Sequence, residues 1–159
     1  MIAVLQRVKR ASVLVDGDVV GSCGHGLCIL LGVAKGDTER DAEALAEKIV
    51  HLRIFTDEND KMNLSLKDVE GEMLVVSNFT LLAAYRKGKR PDYIGAAAPA
   101  EADRLYRYFA ELCSRQLARV ECGVFGADME VQITGDGPVT IVMDSRVLLG
   151  SRSAESCQP

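Results

Sequence analysis

Three stretches of this chain place hydroxyl, amide or cationic groups where they could act on a ligand. In Ser77-Asn78-Phe79-Thr80 a hydroxyl, an amide, a ring and a second hydroxyl follow the apolar run EMLVV. A strand that leaves a core and ends in such groups presents side chains and free backbone N–H groups to a ligand. Ordinary strand termination, with Ser and Thr satisfying local backbone groups, fits the same pattern. In Gly135-Asp136-Gly137-Pro138-Val139-Thr140 the residue types are those of a β-turn between two strands. A Gly-Pro bond also takes the cis form at a cost of only roughly 0.5–1 kcal/mol, which would hold its flanking carbonyls as a rigid pair of acceptors. The third stretch, Arg86-Lys87-Gly88-Lys89-Arg90, puts four cations into five residues of a chain whose net charge is −4. It reads either as a solvated loop or as a local grip on phosphate, whose contacts supply affinity independent of sequence.

Other chemistries lack their residues. His25, between two glycines, and His51, near the end of an amphipathic stretch, are the two histidines, which gives weak support to a Ser-His-Asp triad or a histidine metal site. The glycine patterns of dinucleotide and phosphate loops are absent. Five scattered cysteines without a CxxC pair argue against a disulfide framework or a tetrahedral zinc site. With 19 basic against 23 acidic residues there is no global field to attract a polyanion, so any nucleic-acid contact must come from a local patch. No apolar run approaches the ~20 residues of a membrane span. The start MIAVLQRVKR lacks the pattern of a signal peptide, so a cytoplasmic protein is expected.

The elements that must position these groups follow from periodicity. Residues 2–9 alternate as a strand, and Ser12–Val15 with Val19-Val20 around Asp16-Gly17 predict a hairpin. LCILLGV, residues 27–33, is continuously apolar and predicts a central strand buried on both faces. Asp37–Leu52 has helical spacing with Asp37 or Thr38 as cap, and Pro99–Leu117 predicts a second helix with its proline in the first turn. Strands are expected at 53–56, 72–80, 119–125, 129–134 and 139–144, with DENDK (57–61) as a solvated turn. About seven strands and two helices without regular βαβ alternation favour an α+β fold: a mostly antiparallel sheet or barrel in a single domain, residues 1–149, with a polar tail at 150–159.

Several of these blocks, in this order, resemble D-aminoacyl-tRNA deacylases: AVLQRVKRASVLVDGDVVG, LRIFTDENDKMNLSLKDV, VVSNFTLLAAYRKGKRPDY and FGADMEVQITGDGPVTIVMDS. The resemblance runs nearly the whole chain, to about Ser145. It implies a homodimeric, cytoplasmic hydrolase, needing neither metal nor cofactor, that cleaves the ester between a D-amino acid and the terminal ribose of tRNA at the subunit interface.

By the same resemblance, Ser77, Phe79 and Thr80 would be catalytic, and Asn78, Gly137, Pro138, Arg7 and Met129 would bind substrate. Gly137-Pro138 would be a cis filter against L-amino acids, supported by Arg7, and Arg86, Lys87, Lys89 and Arg90 would contact tRNA phosphates. The family has Gln where this chain has Asn78, one methylene shorter. Thr80 as nucleophile needs a base that the sequence does not place nearby. The other mechanism uses backbone N–H groups around Phe79 and Thr80, with the ribose 2′-hydroxyl assisting water. A non-catalytic RNA-binding module and a hydrolase of small D-aminoacyl esters are the alternatives.

Overall fold

A computed structural model describes residues 1–86 and 88–150; Lys87 and the expected tail from 151 on lie outside the described residues. In chain order the elements are β1 (Ile2–Val15), β2 (Asp18–Cys23), β3 (Gly26–Gly32), α1 (Glu39–Val50), β4 (Phe55–Thr56) and β5 (Met62–Leu64). They continue with β6 (Glu72–Ser77), a 3₁₀ turn (Phe79–Leu82), α2 (Pro99–Ser114), β7 (Val120–Cys122), β8 (Glu130–Asp144) and α3 (Ser145–Leu148).

β1 organises the sheet because it is long enough to serve two neighbours on one side. Its first half pairs antiparallel with β3, from Ile2–Gly32 to Val8–Gly26, and its second half with β2, from Ala11–Cys23 to Val15–Asp18. The expected hairpin is present, with Asp16 at φ +51° and Gly17 at φ +88° in its turn. Along its other side β1 pairs with β8 over nearly its whole length. β6 then adds parallel to β3, and β7 parallel to β6. The expected α+β class and mostly antiparallel sheet stand: β1 pairs antiparallel with β2, β3 and β8, and only β3–β6 and β6–β7 are parallel, since α1 and α2 carry the crossovers that parallel neighbours require. Ser22 N–H donates to Glu121 Oε2 at 2.7 Å, joining β2 to β7 and nearly closing the sheet into a barrel.

The apolar strands alternate between two cores. Leu27, Ile29 and Leu31 of β3 and Met73 and Val75 of β6 pack with α1 and α2 on one face. Cys28 of β3 and Leu74 and Val76 of β6 pack with Val8, Ala11 and Val13 on the other. This is why both strands read as continuous apolar runs, and β3 is central as expected. α1 is two residues shorter at each end than its periodicity suggests, beginning where Asp41 Oδ2 accepts the Thr38 N–H at 2.8 Å. α2 begins on Pro99 and presents Leu105, Tyr106, Phe109 and Cys113 to the core.

Besides the shorter strands at 55–56 and 120–122, two departures from the expected strands shape the site. The run expected to extend to Thr80 ends at Ser77, since residues 79–82 turn into the 3₁₀ segment. The strands expected at 129–134 and 139–144 are a single strand, because both halves pair with the same β1 and the intervening residues bulge instead of reversing.

The position of β6 depends on α2 through Tyr106, whose buried hydroxyl donates to the Val75 carbonyl at 2.7 Å. Replacing Tyr106 with Phe removes that bond without opening a cavity. Stability should fall by about 1 kcal/mol and the melting midpoint by about 3 °C. An unchanged thermal denaturation curve would show that the bond does not hold β6 to the helix.

Candidate active site

The end of β6 is made by two uses of Asn78. Its backbone N–H donates to the Leu31 carbonyl at 2.8 Å, extending the β3 pairing one residue past the strand. Its side-chain Oδ1 then caps the 3₁₀ turn, accepting the Thr80 N–H at 3.1 Å and the Thr80 hydroxyl at 2.5 Å. Asn is a preferred cap because its short amide reaches the orphan donors of a helical first turn. Of the two main-chain donors expected here, Thr80 N–H is therefore occupied, whereas Phe79 N–H has no protein acceptor among the described residues. The Phe79 ring is 58% exposed and rests edge-on against Tyr93, with centroids 5.0 Å apart.

Ser77, Asn78 and Phe79 form one wall of a cavity of about 430 Å³. Ala96, Ala97, Pro99 and Ala102, at the entry to α2, form the second wall, and Phe125, Gly126, Ala127 and Met129, between β7 and β8, form the third. The second wall is fixed by backbone: Ala97 N–H donates to Val33 O and Lys35 N–H to Gly95 O, both at 2.9 Å. An adjoining cavity of about 290 Å³ shares Ser77, Asn78 and Met129 and continues along Val131 and Ile133 of β8. Neither cavity is lined by an ionisable side chain. Thr80 lies just outside both.

Gly137 and Pro138 belong to a second cluster. Between the pairs Gln6–Thr140 and Val8–Gly135, the single β1 residue Arg7 faces residues 136–139, which bulge out of the ladder. The Gly137–Pro138 peptide is cis, and Gly137 has φ +136°, a conformation side-chain-bearing residues rarely adopt. Arg7 is only 8% exposed; its Nε donates to the Asp136 carbonyl at 3.1 Å and lies 3.1 Å from the Asp136 carboxylate. Its Nη1 donates to the Ile54 carbonyl at 2.7 Å. The bulge is thus held by a buried guanidinium through its Nε, while Gly137 and Pro138 face solvent. They do not line either cavity of their own chain.

Arg86, Lys89 and Arg90 are exposed on the segment after the 3₁₀ turn; Lys87, expected to join them, lies outside the described residues. His25 packs edge-on against Phe55 and His51 caps α1 with Nδ1 3.0 Å from Glu47 O, so neither histidine reaches the cavity. No thiol is available as a nucleophile in the described cores: burial pushes Cys23 up to about 11 and Cys28 and Cys113 up to about 12.

The walls from Ala96–Ala102 and Phe125–Ala127 are not identifiable from sequence. Their small residues carry no chemical signature, and they reach the site through the long-range Ala34–Ala96 bridge and the β6–β7 pairing.

Comparison with known proteins places this geometry in a family. The family model for D-Tyr-tRNA(Tyr) deacylase matches residues 4–144. A D-aminoacyl-tRNA deacylase of Caldicellulosiruptor saccharolyticus is 61% identical over 146 residues, covering 92% of this chain and 98% of its own. One from Dehalococcoides mccartyi is 59% identical over 152 residues, covering 96% and 99%. Among solved structures, a c-Myc DNA unwinding element binding protein superposes with TM-score 0.86 at 41% identity, covering 91% of this chain and 98% of its own. A probable eukaryotic D-amino acid tRNA deacylase shares the fold, with TM-score 0.75 at 19% identity. With a match from β1 to the end of β8 and identities this high over nearly full lengths, the chain belongs to the D-Tyr-tRNA(Tyr) deacylase family.

Proposed function

We propose that this chain hydrolyses the ester linking a D-amino acid, or glycine, to the 3′-terminal ribose of tRNA, and rejects L-aminoacyl esters. The observation that carries the reading is the unpartnered Phe79 N–H at the mouth of an uncharged cavity, in a chain of this family. Ester hydrolysis develops negative charge on the carbonyl oxygen, and a preorganised N–H aimed at that oxygen is worth ~3–4 kcal/mol.

The Thr80 hydroxyl is not the nucleophile. Its proton is directed at the Asn78 amide oxygen, an acceptor too weakly basic to remove it, and no histidine or carboxylate lines the cavity. Water attacks instead, assisted by the 2′-hydroxyl beside the ester. Ser77, Asn78 and Met129, shared by the two cavities, place the ester where they meet.

Handedness is sorted by exclusion. Carbonyls of Gly137 and Pro138 approach one face of the substrate α-carbon, where a hydrogen fits and a side chain overlaps. Glycine, with hydrogen on both faces, passes. The bulge does not line the cavity of its own chain; in this reading it reaches the site of a second copy, in a homodimer. The 15-residue β8, paired on one side only, supplies an exposed edge with Ile133 and Val142 for that contact.

D-Tyrosyl-tRNA and glycyl-tRNA should both be cleaved, with L-tyrosyl-tRNA at least about 100-fold slower in kcat/KM. Cleavage of the D ester with glycyl-tRNA left intact would defeat the steric filter. Thr80→Ala should lower kcat by less than about tenfold, whereas a substrate ending in 2′-deoxyadenosine should react about 100-fold or more slowly. The reverse ranking restores Thr80 as nucleophile. Light scattering should return twice the 17.2 kDa chain mass. A fully active monomer would contradict the crossing of the bulge into a partner's site.

A further inference from the structure

The segment that leaves the 3₁₀ turn forms a small hairpin, closed where Ala84 N–H donates to Asp92 O at 2.8 Å and Asp92 N–H to Ala84 O at 2.9 Å. Beyond that closure stands Tyr85, 80% exposed and making no ring contact among the described residues. Arg86, Lys89 and Arg90 follow, all exposed and without a carboxylate partner among the described residues. The one acid of this segment, Asp92, is turned back onto its own loop, where Oδ1 accepts the Ile94 N–H at 3.2 Å. An acidic chain thus concentrates free positive charge around one bare aromatic ring. The chain from Thr80 to Tyr85 spans at most ~17 Å, so this surface adjoins the proposed reaction centre.

A tyrosine with no partner for its ring, flanked by cations with no partner for their charge, matches a polyanion whose units carry flat π-faces. A duplex offers the charge but keeps its faces stacked internally; an unpaired strand offers both. We propose that this hairpin is a docking platform for the unpaired 3′ strand of the tRNA, with Tyr85 stacking on the base that precedes the terminal adenosine and Arg86, Lys89 and Arg90 meeting the phosphates. The proposal rests on the deacylase reading and adds to it how the substrate strand is held.

The test is a double-mutant cycle between protein and strand. D-Tyrosyl-tRNA is compared with the same tRNA made abasic at the position before the terminal adenosine, using wild type, Tyr85→Ala and Tyr85→Phe. Tyr85→Ala should raise KM about tenfold with kcat unchanged, Tyr85→Phe should behave as wild type, and the abasic change should harm wild type but add nothing to Tyr85→Ala. Lowering charge with Lys89→Ala should flatten the dependence of log KM on log salt by about 0.7 for each phosphate no longer neutralised. Strictly additive effects, or an equal loss on D-tyrosyl-adenosine, which has no preceding base, would overturn the platform. So would Tyr85-dependent binding to anionic vesicles with none to the strand. Anisotropy of a labelled single-stranded oligonucleotide ending in CCA separates the two readings. Tyr85-dependent binding without any cleavage refutes the deacylase and keeps the platform; cleavage indifferent to Tyr85 does the opposite.

Discussion

Strand β6 has to surrender its ladder at one residue, and Asn78 is where it does so. The backbone of Asn78 still belongs to the sheet, bonded to Leu31 O, while its side chain already belongs to the next element as the cap of the 3₁₀ turn. A 3₁₀ or α-helical first turn leaves orphan N–H groups. Here the single Asn78 oxygen takes Thr80 N–H and the Thr80 hydroxyl, and the N–H it cannot reach is that of Phe79. The open donor is therefore a by-product of how a parallel strand terminates. Its rigidity comes from the sheet below and from Tyr106, which ties the neighbouring Val75 to α2.

The second cluster is built by the opposite device. Where β6 ends, β8 continues, and it absorbs the extra residues 136–139 opposite Arg7 instead of reversing direction. An almost buried guanidinium would be destabilising if left unpaired, yet this one is satisfied by two carbonyls and a carboxylate, two of the three on the bulge residue Asp136. Arg7 consequently stiffens the bulge from behind and leaves Gly137 and Pro138 facing outward. One chain thus carries an open cavity and, apart from it, an outward-facing bulge, which in the proposed reading two-fold pairing brings together.

How much of this is legible in the sequence follows from which interactions are local. The Asp16–Gly17 turn, the apolar run of β3, the amphipathic α1 and the Pro99 start of α2 are set by neighbours in sequence, and residue pattern alone reveals each. The parallel placement of β6 and β7, the fusion of two expected strands into β8, and the stop at Ser77 depend on partners far along the chain, and residue pattern does not reveal them. Phe125 and Ala97 illustrate the same limit at the site: both line the cavity, yet neither residue type signals it. Ser77, Asn78 and Phe79 stand out from sequence because a polar strand end and a family likeness converge on them, whereas Met129 rests on the likeness alone.

The cavity that results has no charged wall, and this constrains the selectivity any ligand can meet. An uncharged pocket lined by alanines, Phe125 and Met129 distinguishes one apolar side chain from another by only about 1–3 kcal/mol per methylene and provides no partner for a charged one. Recognition by side-chain identity is therefore weak, and discrimination has to reside elsewhere. In the proposed reading it is divided between main-chain atoms, which register only on which side of the α-carbon the substituent lies, and the tRNA strand outside the cavity. Such a division suits an enzyme that must accept many amino acids of one hand, since main-chain carbonyls measure shape at a single carbon and are indifferent to everything further along the side chain.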